Sequence, residues 1–388
     1  MDWITWLIWI IKALVLIFAL LGGFAYLTLY ERRALARIQT RIGPNRVGPF
    51  GLLQPIADAF KLIFKEELTP AKAYKVVFFL APIITMVPSI IIAAVIPWGP
   101  LDPPVVVFGR TITLHVADIS VGVLYLMSIA SIAVYGIVLA GWSSNSKYAM
   151  LGGLRSTAQM ISYELTLGLS FVVVILLASS MRMIDIVEAQ RSMWFVVIQP
   201  VGALVFLIAT IAEVNRAPFD MPEAEQELTA GYHAEYSGMK FALFFMAEYQ
   251  KMIVICAIMA TVFFGGYLEP IPGFLTNISW LSWLKVENSP LLGPVYMFIK
   301  IVVLLFVLIW VRATWPRIRY DRLMAFGWKV MVPLALALVF ITAVGILLTE
   351  QFANRLYLAF IPTLSVLAGL VAVIMVDRAI RRKAYERR

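Results

Sequence analysis

Two glutamates lie inside apolar segments of the sequence, where an ionisable side chain is unfavourable. Glu164 and Glu248 each follow about seven residues of a separate apolar segment, which at a helical rise of 1.5 Å per residue places both about 10 Å below one boundary. An ionised group at that depth costs several kcal/mol unless it is paired or hydrated. The spacing therefore predicts either a lateral polar path through a membrane or a buried pair between a glutamate and a neighbouring basic residue.

A dense group of acids follows the apolar segment that ends at Glu213. The segment 213–240 has only Arg216 and Lys240 as bases, and its further acids are Asp220, Glu223, Glu225, Glu227 and Glu235. Carboxyl groups crowded beside a low-dielectric region resist full ionisation, so some of them should hold labile protons near neutral pH. The alternative is a solvated loop whose acids pair with the arginines of the first loop.

Few other residues offer chemistry within the apolar segments. Lys300 either pairs with one of the buried glutamates or extends its ammonium to the interface. Cys256 is the single cysteine, and the two histidines, His115 and His233, are far apart in sequence. We therefore expect no disulfide framework and no haem or zinc site within the chain.

The elements that position these residues must be membrane helices. The 388 residues are 62% hydrophobic and 14% charged, which is more apolar surface than one water-soluble core can bury. The net charge of +9 comes from lysines and arginines that cluster beside apolar segments, so it indicates membrane topology and not nucleic-acid binding. The first apolar segment has no basic region or cleavage site before it, which predicts a retained helix and no signal peptide.

Stretches of roughly 20 apolar residues predict an all-α, polytopic integral membrane protein with about nine transmembrane helices. Their approximate bounds are 3–29, 76–97, 118–141, 157–180, 194–213, 241–265, 292–312, 328–349 and 356–376. The sequence shows no repeat or linker, so we expect a single membrane domain, 1–388. On one side, Gly109-Arg110 joins two short β-type runs, which predicts a type II′ hairpin.

The distribution of basic residues predicts the orientation. Loop 30–75 and the loop after the seventh helix are rich in lysine and arginine, which places them in the cytoplasm and the N-terminus outside. The basic tail after Asp377 is cytoplasmic only if a ninth helix is present, so parity favours nine helices over eight.

Loop 30–75 contains an amphipathic stretch from Leu52 to Glu67. Its apolar face consists of Leu53, Ile56, Phe60, Ile63 and Phe64, and its polar face of Gln54, Asp58, Lys61 and Lys65. The stretch is too short and too polar to span a bilayer, so it should lie at the interface. It is either an anchor on the membrane surface or the lip of an entrance for an amphiphilic molecule.

Several segments together resemble one family. They are YERR (30–33), QTRIGPN (39–45), GLLQPIADAFK (51–61), LAGWSSNSKY (139–148), QMISYE (159–164) and EVNRAPFDMPEAEQEL (213–228). These segments are similar to those of the NADH-quinone oxidoreductase H-subunit, a membrane-arm chain of respiratory complex I. The resemblance covers essentially residues 1–350, so the chain would have about eight family helices and one extra C-terminal span with a basic tail, 351–388.

The resemblance implies a quinone entrance and chamber, and an acidic start of the proton-coupling path. The quinone-binding residues that it implies are Arg32, Gln39, Arg41, Asp58, Ala59, Lys61 and Arg216. The acidic connection that leads from the chamber would consist of Glu213, Asp220, Glu223, Glu225 and Glu227, with Glu235 in the same segment, and it would continue through Glu164 and Glu248.

The resemblance also implies that the chain is a subunit of a proton-translocating NADH:quinone oxidoreductase that carries no redox cofactor itself. Quinone would be the substrate, and FMN and iron–sulfur clusters would belong to partner subunits. The partners would be other membrane-arm subunits, the hydrophilic quinone-site subunits and membrane lipids, with no nucleic acid. The location would be the bacterial inner (plasma) membrane.

Three other functions fit parts of this pattern. A homologous membrane subunit of an energy-converting hydrogenase shares the fold and the intramembrane acids, but the full 213–228 segment resembles the quinone-linked family more. A cation-coupled secondary transporter is disfavoured because the sequence shows no paired repeats. A purely structural anchor would not need Glu164 and Glu248 within the membrane.

Overall fold

The computed structural model describes residues 3–101, 105–107, 110–221, 231–270, 285–286, 289–352 and 359–385. The helices are α1 Trp3–Ile38, α2 Gln54–Ile63, α3 Lys75–Ala93, α4 Gly122–Ser143, α5 Lys147–Ala178, α6 Met183–Glu188, α7 Phe195–Ile198, α8 Pro200–Glu213, α9 Gly238–Phe263, α10 Leu292–Thr314, α11 Tyr320–Phe326, α12 Val332–Phe352 and α13 Phe360–Tyr385. A π-helical turn, Gly327–Met331, joins α11 to α12, and Pro49–Gly51 and Gly231–His233 form 3₁₀ turns.

Within these described ranges, 8 helices are long and apolar enough to cross a membrane, which confirms the predicted all-α membrane fold. The fifth predicted span differs from expectation. It is divided at Gln199, and α8 has only 14 residues. A helix of that length rises about 21 Å, less than the hydrocarbon thickness of about 30 Å. Pro200 begins α8 because proline lacks the N–H group that a continuous helix would need there.

Several helices extend beyond the apolar stretches that predicted them. Helix α1 continues to Ile38, past the predicted end near residue 29, and α5 begins at Lys147 and not near residue 157. Hydropathy detects only the part of a helix that lipid surrounds, whereas the hydrogen-bonded ladder continues into the polar region. Asn145 has a φ of 50°, in the left-handed region, and so lets the chain turn between α4 and α5.

Helix α9 lies at the centre of the bundle. In an 18-residue apolar stretch of α9, 61% of the residues are buried, against 11% in such a stretch of α1 and 11% in the described part of α13. Helices α1, α3 and α10 pack around α9, and α5 packs against α4, α8 and α12. The central position of α9 brings the residues before and after Glu248 into contact with several other helices.

The loops of one end of the bundle meet each other, and we call this end the charged end. The Lys240 ammonium lies 3.2 Å from the Glu67 carboxylate, and the Leu68 amide donates to Ser237 Oγ at 2.9 Å. These contacts join loop 30–75 to the segment 213–240. At the opposite end, β1 (Val105–Val107) and β2 (Arg110–Ile112) pair antiparallel as predicted, and the turn residues 108–109 lie outside the described residues.

Candidate functional site

Glu213 and Lys251 form an ion pair inside the bundle. Glu213 is the last residue of α8, and Lys251 lies in the central helix α9. The ammonium donates to Glu213 Oε1 at 2.6 Å and to the Glu213 carbonyl oxygen at 3.1 Å. Glu213 is only 5% exposed, and its second carboxylate oxygen is buried without a hydrogen-bond partner in the described part of the chain. A water molecule is the partner that such an oxygen requires.

A cavity of about 70 Å³ provides the space for such water. Its lining includes Glu164, Glu213, Glu248 and Lys251, which come from three different helices. One water needs about 10–15 Å³ of such volume, so the cavity has room for several. The structure therefore brings together, around one cavity, the two glutamates that the sequence placed at one depth and Glu213, which ends α8.

Glu164 has a different partner from the other two carboxylates. The Ser131 hydroxyl of α4 donates a hydrogen bond to Glu164 Oε1. The same stretch of α5 also packs against α11 and the π-helical turn after it. Tyr163 donates to the Leu323 carbonyl of α11 at 3.0 Å, and Gly327 of the turn lies against the tyrosine ring. A neutral hydroxyl compensates a carboxylate less than a cation does, and Glu164, unlike Glu213 and Glu248, has no ion pair among the described residues.

Glu248 belongs to a second cluster, which is nearly sealed from solvent. Its Oε1 lies 2.6 Å from Arg216 Nε, and Arg216 also lies 3.9 Å from Glu31, at the charged end of α1. The Arg312 guanidinium of α10 pairs with Glu31 as well. Glu31 is 2% exposed and Arg216 is 5% exposed. Glu248 thus forms the buried pair that the sequence left open as an alternative, and it also lines the cavity.

An aromatic ring completes this second cluster. The Arg216 guanidinium lies 4.3 Å from the centroid of the Tyr249 ring, within the range of a cation–π interaction. Tyr249 is adjacent to Glu248 on α9, so one turn of this helix provides both groups that hold Arg216. The two arginines and two glutamates of this largely buried cluster are coupled, because charges interact more strongly in a region of low dielectric constant.

The predicted quinone residues on α1 and α2 lie nearer the surface. Arg32 Nη1 lies 2.6 Å from Asp58 Oδ2, and Gln54 Nε2 donates to Asp58 Oδ1 at 3.2 Å. This contact holds the polar face of α2 against the end of α1. Gln39 and Arg41, which follow α1, and Ala59 and Lys61 of α2 are exposed. Arg216 is not part of this group, because its contacts are with Glu31, Glu248 and Tyr249.

The apolar face of α2 is largely uncovered by this chain. The exposed fractions are 50% for Ile56, 57% for Phe60 and 81% for Phe64, and the last two rings stack with centroids 6.2 Å apart. The amphipathic helix that the periodicity predicted is therefore present. Its apolar side is available to lipid or to an amphiphilic ligand.

The acidic segment is described only in part. Asp220 and Glu235 are half-buried, whereas Glu223, Glu225 and Glu227 lie outside the described residues. Arg317 donates a hydrogen bond to the Asp220 carbonyl oxygen, and Lys240 pairs with Glu67 while lying 3.8 Å from the Phe79 ring centroid. A base of the acidic segment thus pairs with an acid of the first loop, which is the reverse of the pairing expected from composition.

Two aromatic groups of the same segment have pKa values shifted by burial. Burial lowers the pKa of His233 to about 3, and burial raises the pKa of Tyr236 to about 12, an effect that hydrogen bonds with Ser143 and Ser144 only partly offset. Tyr236 stacks on Phe78 of α3 at 4.0 Å. Both side chains are therefore neutral around pH 7.

The contacts of Lys300 differ from both predictions, a pair with a buried glutamate and an ammonium at the interface. Its ammonium donates to the carbonyl oxygens of Phe264 (2.7 Å), Gly266 (2.9 Å) and Leu268 (2.8 Å). These groups follow the carboxyl end of α9, where carbonyls have no partners within the helix. Lys300 binds this backbone because an ammonium is a strong donor to unpaired carbonyls and is stabilised by the helix dipole.

Four residues at the two clusters were not predicted as site residues from the sequence. They are Glu31, Ser131, Lys251 and Arg312. Lys251 had a signal, since it lies three residues after Glu248 within an apolar helix and so shares its face. Glu31 and Arg312 had none, because their pairing joins positions that are 281 residues apart.

Together, the fold and these clusters define a class: polytopic helical membrane proteins that hold ionisable groups inside the bundle, where such groups mark ion or proton pathways. The model of one family, described as NADH dehydrogenase, matches residues 11–343 of the chain.

Relatives of known name extend this match. The chain is 51% identical to NADH-quinone oxidoreductase H-subunit 2 of Geobacter sulfurreducens, over 85% of this chain and 94% of the relative. It is 48% identical to the H-subunit of Rhodospirillum rubrum, over 89% and 96%, and 46% identical to H-subunit 2 of Syntrophobacter fumaroxidans, over 89% and 98%. The chain belongs to this family and is a membrane subunit of an NADH-quinone oxidoreductase, complex I.

Proposed function

We propose that this subunit forms the quinone entrance and chamber of the enzyme, and the acidic start of the path that couples quinone reduction to proton movement. The observation that carries the proposal is the cavity that Glu164, Glu213 and Glu248 share. Several carboxylates around a space for water can pass protons between them, because each can hold or release a proton at a small cost when its neighbours adjust.

The entrance would lie at α2. A quinone has an apolar tail and a polar headgroup, and α2 presents exposed Phe60 and Phe64 on one side and the Arg32–Asp58 pair on the other. The tail would follow the apolar face while the headgroup passes the polar residues of α1 and α2. Gln39, Arg41, Ala59 and Lys61 would line this route, and Arg216 would shape the charged interior of the chamber.

Arg216 supports a link between the two parts of the site. It lies between Glu31 and Glu248, and Glu248 also lines the cavity. A change of charge on a quinone near Arg216 would shift the balance of its two ion pairs, and such a shift is felt strongly in a low-dielectric region. The acids Asp220, Glu223, Glu225, Glu227 and Glu235 would connect the chamber with Glu213.

The surroundings follow from this function. The hydrophilic quinone-site subunits, with FMN and iron–sulfur clusters in the redox chain that feeds them, would dock on the charged end, and other membrane-arm subunits and lipids would contact the helices. The charged end and the C-terminus would face the cytoplasm and the N-terminus the outside, because the basic residues concentrate at the charged end.

The test replaces single carboxylates in the complete enzyme, reconstituted into liposomes. Glu213→Gln and Glu164→Gln should each slow NADH-driven proton pumping by about tenfold or more, since an amide cannot take up and release a proton. Glu164→Gln carries less risk to folding, because the Ser131 hydroxyl can still donate to an amide oxygen. The measurements are NADH oxidation with added quinone and the rate of acidification inside the vesicles.

Glu188→Gln is the matched control. Glu188 is a half-buried carboxylate at the opposite end of the bundle, where it pairs with Arg191 and accepts a hydrogen bond from Tyr267 at 2.6 Å. This variant should pump at the wild-type rate. Wild-type pumping in both Glu213→Gln and Glu164→Gln would exclude the proposed path.

A further inference from the structure

The two histidines of the chain share one property and differ in another. In both His115 and His233, Nδ1 is buried and has no hydrogen-bond partner in the described part of the chain. His115 lies near the opposite end of the bundle, beside Asp118 and Arg182. Only His233 lines the cavity that holds Glu164, Glu213 and Glu248. A buried imidazole nitrogen needs a partner, and at His233 the cavity offers space for a water molecule.

Aromatic rings surround the His233 imidazole. Its centroid lies 3.9 Å from that of Tyr232, 5.6 Å from that of Phe241 and 5.5 Å from that of Phe244. No ion pair of His233 with a carboxylate occurs within the described ranges, so nothing there holds a charge on the ring. Burial lowers the pKa of His233 to about 3, so the ring is neutral near pH 7 and has one donor and one acceptor nitrogen.

The backbone around His233 is fixed closely against α5. Gly231 has a φ of 53°, and a Cβ atom added at Gly152 of α5 would lie 2.5 Å from Gly231 Cα. Two glycines thus let the 3₁₀ turn Gly231–His233 contact the helix backbone to backbone. The imidazole is positioned at the cavity wall by this contact and by the aromatic packing, which is how a fixed transfer group must be held.

We propose that His233 is a proton relay of this cavity, which passes protons to and from the water around Glu213. The inference deepens the proposed function and rests on it. In each passage one ring nitrogen takes a proton from a water molecule or a carboxyl group, and the other nitrogen releases its own. The ring ends neutral with its proton on the nitrogen that accepted, and reorientation of the ring, not a reverse transfer, restores the starting arrangement. No electron transfer and no other reactant is involved.

The experiment uses His233→Ala in the complete enzyme in liposomes, with His115→Ala as the matched control and imidazole as the added probe. The membrane potential is followed with an oxonol dye, because imidazole dissipates a pH gradient but not a potential. His233→Ala should slow the rise of the potential by about tenfold, and imidazole should restore most of it. His115→Ala should behave as wild type with and without imidazole.

A second variant distinguishes a relay role of His233 from a role in packing. His233→Phe fills the aromatic site without a nitrogen, so it should be as slow as His233→Ala and should not respond to imidazole. Wild-type rates in both His233 variants would overturn the relay, and Glu213→Gln in the same assay shows whether the carboxylate path itself stands. A loss in His233→Ala that imidazole does not restore, in an enzyme of normal subunit composition, would assign His233 to packing and also overturn the relay.

Discussion

At the residue scale, variants of the Glu213–Lys251 pair can distinguish an effect on stability from an effect on proton transfer. Removing one member of a buried ion pair leaves an uncompensated charge, which costs about 3–5 kcal/mol, whereas replacing both members by neutral groups of similar size is often tolerated. We therefore expect Glu213→Gln and Lys251→Met each to lower the thermal stability of the enzyme. The double variant should lose less than the sum, with a coupling energy of about 1–3 kcal/mol.

The rate of proton pumping should not recover in the double variant as the thermal stability does. The double variant recovers packing but still lacks the Glu213 carboxylate, so its NADH-driven pumping should stay as slow as that of Glu213→Gln. The double-mutant cycle requires thermal inactivation midpoints and pumping rates for wild type, the two single variants and the double variant. Additive stability losses would mean that the 2.6 Å contact contributes no net interaction.

The sequence predicts the buried acids better than their partners. Glu164 and Glu248 are recognisable because charged residues within apolar segments are rare and costly. Their partners depend on packing: Arg216 reaches Glu248 from another segment, and Ser131 reaches Glu164 from α4. A hydroxyl in an apolar helix has no pattern that distinguishes a ligand of a carboxylate from one bonded to its own backbone.

At the element scale, the contact between α5 and the turn Gly231–His233 depends on the lack of a side chain. Gly152→Ala places a methyl group 2.5 Å from Gly231 Cα and 3.1 Å from the Tyr232 nitrogen, and neither backbone atom can rotate away. We expect the substitution to destabilise the enzyme by about 1–3 kcal/mol, as overpacking does. It should also slow pumping, because the displaced turn carries His233.

Gly22→Ala in α1 is the control for this effect. Nothing lies within 4 Å of a Cβ at Gly22, so the same change in a helix should be neutral or slightly stabilising. The two variants are compared by their thermal inactivation midpoints and by their pumping rates, measured well below those midpoints. If Gly152→Ala is as stable and as active as Gly22→Ala, the close contact is not needed.

Hydropathy predicts which elements exist, but not how each of them ends. The predicted spans all contain helices, because a spanning segment in lipid must satisfy its backbone internally. The division of the fifth span at Gln199 was not predicted because residues 194–213 are as apolar as an undivided helix, although Pro200 is a local signal for the break. Gln199 is buried and donates to Thr342 Oγ1 of α12 at 2.6 Å, a tertiary contact that no local pattern encodes.

At the scale of the whole molecule, α13 stands apart from the part of the chain that matches the family. The family model ends at residue 343, and α13 begins at Phe360. Yet α13 packs on α12, α7 and α8, where it lies beside the division at Gln199. A Cβ at Gly345 would lie 2.4 Å from the Ile361 side chain, and one at Gly369 would lie 3.3 Å from Val201. Helix α13 therefore covers one side of the short helix α8.

Removing α13 tests this role for the molecule as a whole. A chain that ends at Phe352 keeps all the residues of the cavity, so the assembled enzyme should oxidise NADH with quinone within about twofold of the wild-type rate at low temperature, since chemistry and binding groups are unchanged. Its thermal inactivation should begin at a lower temperature, because lipid replaces close helix packing against α8.

A chain that ends at Arg378 removes only the basic extension and keeps this packing, so it should match wild type in both measurements. Equal thermal stability of the two truncations would show that α13 does not stabilise α8. Loss of activity in an assembled enzyme that ends at Phe352 would instead give α13 a part in the reaction.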